Sequence, residues 1–188
     1  MTEKTESQHF QQHLELIEAC RKNDTKAQIE VYRFYCKAMF NVCLRLVKNS
    51  VEAEDLMQEA FISAFEKLDQ YRAEVSFGAW LKKIVINKCI DFLKKKKIQF
   101  VELDEANRLE EDIEPDNLEG LTREIEKIKT EINLLPDGYR TVLNLFVFEG
   151  YDHDEIAQIL GIAASTSRSQ YARAKAILYK KLKEQHHE

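Results

Sequence analysis

The sequence predicts an all-α chain: two small helical domains joined by an acidic, flexible linker. Three observations carry this. Only five glycines and two prolines fall in 188 residues, so breakers are too sparse for anything but long helices with short connections. Apolar residues recur at three- and four-residue steps over most of the chain, the period of a helix buried on one side. Charge is also segregated: between Glu102 and Glu119 lie nine acids and one base, Arg108.

From the N-terminus, Leu14, Ile17 and Cys20 predict a first helix, and Asn23-Asp24-Thr25 a turn with a cap. A long helix follows from about Lys26 to Val47, with Ile29, Tyr32, Tyr35, Met39 and Leu46 expected on its buried side. Asn49-Ser50 breaks it, and Ser50 can cap the next helix, about Val51 to Leu68, with Leu56, Ala60, Ile62 and Phe65 facing inward. Asp69 to Ser76 reads as a loop. A fourth helix, about Phe77 to Lys97, carries Trp80, Leu81, Ile84, Val85, Ile90 and Leu93 on its apolar face and lysines elsewhere. These four helices have enough apolar surface for one bundle, residues 9–97.

Residues 98–117 form the linker. This segment contains Pro115 and lacks sustained periodicity; acid repulsion and poor burial cannot offset its ordering entropy, so it is expected to be flexible. The second domain spans residues 118–185. Its first helix runs to about Leu134. Pro136 suits the first turn of the next, which ends near Gly150. Asp152 can cap a short helix, Asp154 to Leu160, that Gly161 terminates. Ser165 or Thr166 caps a last helix to about Glu184.

The net charge of −5 is an average over uneven segments. Between Ala79 and Phe100 there are seven lysines against one acid, Asp91, and from Ile162 to Lys183 there are six basic residues and no acids. Two basic blocks separated by an acidic stretch is the distribution to be explained.

Other classes find little support. No stretch approaches the roughly 18 apolar residues of a membrane span, and Met1 to Gln8 lacks the apolar core of a signal peptide, so a cytoplasmic protein without membrane insertion is expected. Cys20, Cys36, Cys43 and Cys89 lack Cys-x-x-Cys spacing and sit in apolar-periodic segments, which favours buried, reduced thiols. His9 and His13 share a helix spacing but read as a solvated pair rather than a metal site. No phosphate-cradling glycine loop, metal-ligand cluster or nucleophile–base spacing stands out. The chain is therefore read as a non-enzyme without cofactor or metal.

The strongest local pattern is Asp154-Glu-Ile-Ala-Gln-Ile-Leu-Gly161-Ile162 followed by a helix, the arrangement of a helix-turn-helix in the C-terminal domain. Ile156, Ala157 and Leu160 share one face. Ala157 is small where the second helix must approach, Gly161 can adopt the left-handed turn, and Ile162 plugs the gap between helices. In the second helix Tyr171, Ala174, Leu178 and Leu182 form the buried face. The opposite face presents Ser165, Arg168, Ser169, Ala172, Arg173 and Ala176. Small, hydroxylated and arginine residues there fit a major groove. Arg168 and Arg173 can donate to guanine edges or phosphates, and Lys175, Lys180, Lys181 and Lys183 add phosphate attraction. The residues alone justify only a DNA-binding protein; the rival readings are a stand-alone helix-turn-helix regulator and a helical adaptor that binds no DNA.

Longer motifs carry a resemblance. Leu135-Pro-Asp-Gly-Tyr-Arg-Thr-Val-Leu, the Gly150 to Ile162 segment and Ser165-Thr-Ser-Arg-Ser-Gln-Tyr-Ala-Arg-Ala-Lys resemble region 4 of the extracytoplasmic-function sigma factors, which reads the minus-35 promoter element. Glu54-Asp-Leu-Met-Gln-Glu-Ala-Phe61 resembles that family's segment that docks on the clamp helices of the largest RNA polymerase subunit. Phe77-Gly-Ala-Trp-Leu-Lys-Lys-Ile-Val-Ile-Asn87, with Asp91 and the lysine run, resembles its promoter-melting helix. Ser169-Gln170 resembles the variety found in Bacteroidetes.

The resemblance implies a sigma factor that binds core RNA polymerase, through the clamp helices and the flap, and directs it to promoter DNA. It assigns Asp55, Leu56, Gln58 and Glu59 to polymerase docking. It assigns Tyr71, Arg72, Ser76, Lys82, Lys83 and Lys88 to the minus-10 element, the loop from Tyr71 to Ser76 capturing a flipped base. It assigns Ser165, Thr166, Arg168, Ser169, Arg173 and Lys175 to the minus-35 element. Trp80 is expected to anchor the core rather than stack on a base, and Asn87 and Asp91 to make structural hydrogen bonds. Ala163 and Ala164 depart from the family pattern of a capping residue and a larger aliphatic, which thins the base-reading set. An anti-sigma factor or a recruiting protein is the further partner implied.

Overall fold

The computed structural model describes residues 13–102 and 121–185. Residues 103–117 of the expected linker and His9 therefore fall outside the described residues. The chain divides into two compact units, Met1–Leu93 and Lys94–Glu188. Among the described residues every regular element is helical, and no helix is long and apolar enough to cross a membrane.

In the first unit α1 (residues 13–21) turns at Asn23 into α2 (Thr25–Val47). Asp24 caps α2, its carboxylate accepting from the Lys26 and Ala27 N–H groups, a contact worth about 1 kcal/mol. The two-residue connection Lys48-Asn49 returns the chain as α3 (Ser50–Glu66). Asn49, rather than Ser50, provides the cap, accepting from Glu52 N–H at 2.9 Å. A 3-10 turn, Leu68–Gln70, precedes the loop to α4 (Phe77–Glu102). Helix α4 passes the expected stop at Lys97, since no glycine or proline lies between Lys97 and Glu102.

Ala53, Ala60 and Ala64 form a fully buried stripe on α3 that lets α2 close against it, around Val31, Cys43 and Leu46. From α4, Leu81, Val85, Ile86 and Cys89 complete the core. Two expectations are corrected. Ile29 is 46% and Ile62 59% exposed; they line one apolar groove with Tyr32, Phe61 and Phe65. Val31 and Phe61, one or two positions away, take the inward places.

Cys20, Cys43 and Cys89 are buried, Cys36 is half-buried, and all four are free thiols. Burial, with the Asp24 and Glu30 charges, pushes the Cys20 thiol up to about 11. The hydrogen bond with Cys43 and burial drive Cys89 far above the usual thiol range. Neither supplies thiolate near neutral pH.

The second unit comprises α5 (Leu121–Asn133), α6 (Asp137–Val147), α7 (His153–Leu160) and α8 (Ala164–Gln185). Pro136 stands at the N-cap of α6, one place earlier than expected. Helices α5, α6 and α7 all pack on α8, around Ile132, Leu143 and Ala174. Arg140 is only 1% exposed. It pairs with Asp137 at 2.8 Å and donates to the Leu135 carbonyl at 3.1 Å, tying the start of α6 to the turn before it.

Candidate nucleic-acid and polymerase interfaces

Helices α7 and α8 make the helix-turn-helix. Asp152 and Glu155 form a reciprocal capping box at the start of α7, with contacts of 2.8–2.9 Å. Gly161 takes φ +69°, and both its N–H and that of Ile162 return to the Ala157 carbonyl. The turn is thus closed where a side chain would strain it. Ile156 is fully buried, and Ala157, Leu160 and Ile162 are half-buried beneath α8.

Ser165, Arg168, Ser169, Ala172, Arg173, Lys175 and Ala176 are exposed on α8, and Thr166 is half-exposed. Ser165, Arg168, Ser169, Ala172, Arg173 and Ala176 recur at three- and four-residue steps, so they share a stripe. The Ser169 hydroxyl donates to the Thr166 carbonyl at 2.9 Å, leaving its lone pairs to accept. Lys175 Nζ lies 4.5 Å from the Tyr171 ring centroid, a cation–π contact that holds it near the stripe's edge.

The expectation that Ser165 or Thr166 caps α8 is corrected. The helix begins at Ala164, and Ser167 N–H donates to the Ala163 carbonyl at 3.1 Å. Alanine at the cap brings no side-chain acceptor.

Sequence reasoning missed one polar tie here. Ser167 is fully buried, and its hydroxyl meets His153 Nδ1 at 2.9 Å. His153 also stacks on Phe146, centroids 4.7 Å apart at 20°, while Tyr171 packs against both rings. The signal was present in the period: Ser167, Tyr171, Ala174 and Leu178 continue one buried face.

In the first unit α3 has two distinct faces. Leu56, Met57, Ala60 and Phe61 point inward, while Glu54, Asp55, Gln58 and Glu59 are exposed. The Gln58 amide donates to Glu54 at 3.3 Å. Leu56, assigned to docking, is only 7% exposed. Its apolar side chain belongs to the core, which corrects its placement on the docking surface.

Helix α4 presents Lys83, Asn87, Asp91 and Lys94 at successive turns, all exposed. Asn87 and Asp91 thus share the exposed lysine face. Lys82 and Lys88 are half-buried. Lys88 pairs with Glu59 at 3.3 Å, so the acidic face of α3 and the basic face of α4 adjoin.

The loop from Tyr71 to Ser76 exposes Arg72, Glu74, Val75 and Ser76. Tyr71 itself is 5% exposed and its hydroxyl donates to the Val75 carbonyl at 2.9 Å. Tyr71 therefore supports the loop from below, a correction to its placement among DNA-contacting side chains. Ser76 caps α4, accepting from Ala79 N–H at 3.3 Å.

Trp80 is half-buried against Tyr71 and Phe77, with centroid separations of 5.4 and 5.6 Å. Tyr35 and His13 extend this aromatic cluster, and His13 Nε2 meets the Tyr35 hydroxyl at 2.6 Å. A Cβ at Gly78 would lie 2.9 Å from the Tyr35 ring, so glycine there allows α4 to start close against α2.

His13 is thus no solvated surface residue: burial holds its imidazole below the ordinary 6.5. The neutral ring is favoured in the fold, so its contribution to stability is whole above that value. It declines as pH falls through 6.5 toward the lowered folded value, where the unfolded chain binds the extra proton. The loss of melting temperature between pH 7.5 and 5.5 should be smaller in His13→Gln than in wild type; equal losses would assign the titration elsewhere.

The sequence and the fold match known proteins. The sigma-70 region 2 family model matches residues 31–98 and the sigma-70 region 4 model residues 125–178. The chain is 31% identical to the ECF RNA polymerase sigma factor SigW of Bacillus subtilis, over 89% of this chain and 95% of that one. It is 30% identical to the RNA polymerase sigma-H factor of Pseudomonas aeruginosa, over 92% and 94%. Among solved structures, the sigma factor RpoE of Bartonella quintana, in complex with the anti-sigma factor NepR, shares the fold. Its TM-score is 0.62 at 24% identity, over 82% of this chain and 95% of that one. CnrH, in complex with the cytosolic domain of CnrY, gives a TM-score of 0.54 at 20% identity, over 89% and 95%. The chain belongs to the sigma-70 family, in its extracytoplasmic-function group. Its function is that of an RNA polymerase sigma factor directing transcription initiation, with core polymerase and promoter DNA as partners.

Proposed function

We propose that three separate surfaces divide this work. Asp55, Gln58 and Glu59 on α3 dock on the clamp helices of the largest polymerase subunit. The exposed loop with Arg72 and Ser76, together with Lys82, Lys83 and Lys88, takes the minus-10 element as it opens. Ser165, Thr166, Arg168, Ser169, Arg173 and Lys175 take the minus-35 element while the second unit meets the flap. In domain terms residues 9–97 act on polymerase and the minus-10 element, 98–117 link, and 118–185 act on the minus-35 element.

The observation that supports this reading best is the exposed stripe of α8: two arginines and two serines with alanines beside them. Such a stripe offers directional donors with room for a groove wall. The lysine face of α4 supplies the attraction that holds a separated strand.

The chain acts without catalysis of its own, in the cytoplasm, as a regulatory subunit. The solved relative bound to the anti-sigma factor NepR supports an anti-sigma factor as the partner that covers these surfaces when polymerase is absent. The uncapped α8 start and the short base-reading set support a recruiting protein at some promoters. Ser169-Gln170 supports the Bacteroidetes variety.

Run-off transcription tests the assignment of work to surfaces. Core polymerase plus the protein should initiate on a cognate promoter, and core polymerase alone should not. Tight operator binding without polymerase, and no run-off product, would overturn it.

A further inference from the structure

We infer that Arg21, on α1, is a positioning residue for minus-10 recognition, because it holds the loop from Tyr71 to Ser76 in shape. The inference rests on the reading of that loop as the element that takes an unstacked base.

Arg21 lies about fifty residues from the loop, yet its guanidinium reaches the loop's first residue and the 3-10 turn that leads into it. Nε donates to the Leu68 carbonyl at 3.3 Å, and Nη2 donates to the Tyr71 carbonyl. Nη1 is held by Glu18 at 2.9 Å. Among the described residues these are the hydrogen bonds that join α1 to this segment. Between them lies a recess of about 300 Å³, bordered by Leu14, Glu18, Tyr71 and Ala73, so α1 does not simply back the loop with apolar packing. Arg21 spans the gap.

What it steadies is a costly conformation. Ala73 sits at φ +58°, the left-handed region, where a residue with a Cβ is disfavoured. The loop closes on itself through the Tyr71 hydroxyl and the Val75 carbonyl, and ends at the Ser76 cap. Residues Arg72 to Ser76 are all exposed, so little burial orders them. Each loop residue ordered only on binding would subtract from affinity; anchoring it beforehand removes that loss.

The chemistry requires arginine. Two carbonyls three residues apart, plus a carboxylate, need a planar fork with several fixed donors. A lysine ammonium is one point charge on a flexible stem and cannot span them.

The test uses holoenzyme assembled from core polymerase and the full chain. A randomised pool of single-stranded DNA is selected on wild-type holoenzyme, and affinity for the winner is compared with a scrambled strand. Arg21→Lys and Arg21→Met should each lose about tenfold in that discrimination, the equivalent of ~1.4 kcal/mol. Affinity for core polymerase should stay within twofold of wild type.

Wild-type discrimination in both variants would overturn the inference while leaving the loop's role intact. Parallel loss of core affinity would also overturn it, by assigning Arg21 to the stability of the bundle. Failure of wild-type holoenzyme to select any strand would instead remove the reading of the loop itself, and the inference with it.

Discussion

Asp55→Lys combined with Glu59→Lys should abolish co-purification with core RNA polymerase. Both carboxylates are exposed on the outward face of α3, and the residues beneath them, Ala53, Met57 and Ala60, are buried. Reversal therefore changes the surface and leaves the α2–α3 packing alone. Surface changes of this kind alter stability by roughly 0.5 kcal/mol or less. Against a partner surface that complements acid, two reversed charges are like charges brought together and desolvated, which costs several kcal/mol. Each ~1.4 kcal/mol is a factor of ten, so a loss beyond about a hundredfold is expected.

Glu59 carries a local complication, since its exposed bond to Lys88 spans 3.3 Å. An exposed pair contributes about 0–1 kcal/mol, but a lysine placed there faces Lys88. Asp55→Lys alone should therefore show most of the effect, with an unchanged melting temperature. Co-purification at wild-type levels by the double variant would remove α3 from the docking surface.

The long helices were legible because few residues interrupt them and because their apolar period is 3.6. The caps were legible to within a residue or two. Asn49 and Ser50 are both good caps, and the local sequence does not choose between them; the structure uses Asn49. Ile29 and Ile62 were misplaced for a related reason. Helices α2 and α3 each carry more apolar residues than one face can bury, so the period alone does not select the inward stripe. Val31 and Phe61 won those places, and the two isoleucines border a groove instead.

The exposure of the α8 stripe was legible, since arginine, serine and alanine there alternate with an apolar face. Its supports were not. His153 to Ser167 spans 14 residues, and Arg21 to Tyr71 spans 50. No helical or strand period encodes a hydrogen bond between residues brought together by the fold. Tyr71 was assigned outward for the opposite reason: it lies in a segment whose neighbours are exposed, and only packing reveals that its own side chain turns in.

Arg168→Ala and Arg173→Ala separate base reading from phosphate attraction on α8. Both side chains are exposed, and the alanines at 172 and 176 on the same stripe leave room for a groove wall. If each arginine forms a bidentate bond to a guanine edge, its loss costs about 1–3 kcal/mol and relaxes preference at one base pair. That corresponds to roughly five- to 150-fold in holoenzyme affinity for a cognate promoter. A phosphate contact behaves differently: removal weakens all sequences alike and lowers the dependence of log affinity on log salt by about one.

Lys175 supplies the internal comparison. Its ammonium already rests on the Tyr171 ring, so Lys175→Ala should act as the phosphate type, with a smaller loss. The measurement is holoenzyme affinity across single-base minus-35 variants at two salt concentrations. Helix α8 reads sequence if at least one arginine variant loses discrimination at a single position. If both arginine variants weaken every promoter equally, α8 contributes attraction alone, and promoter choice passes to the minus-10 loop and to whatever recruiting protein accompanies the polymerase.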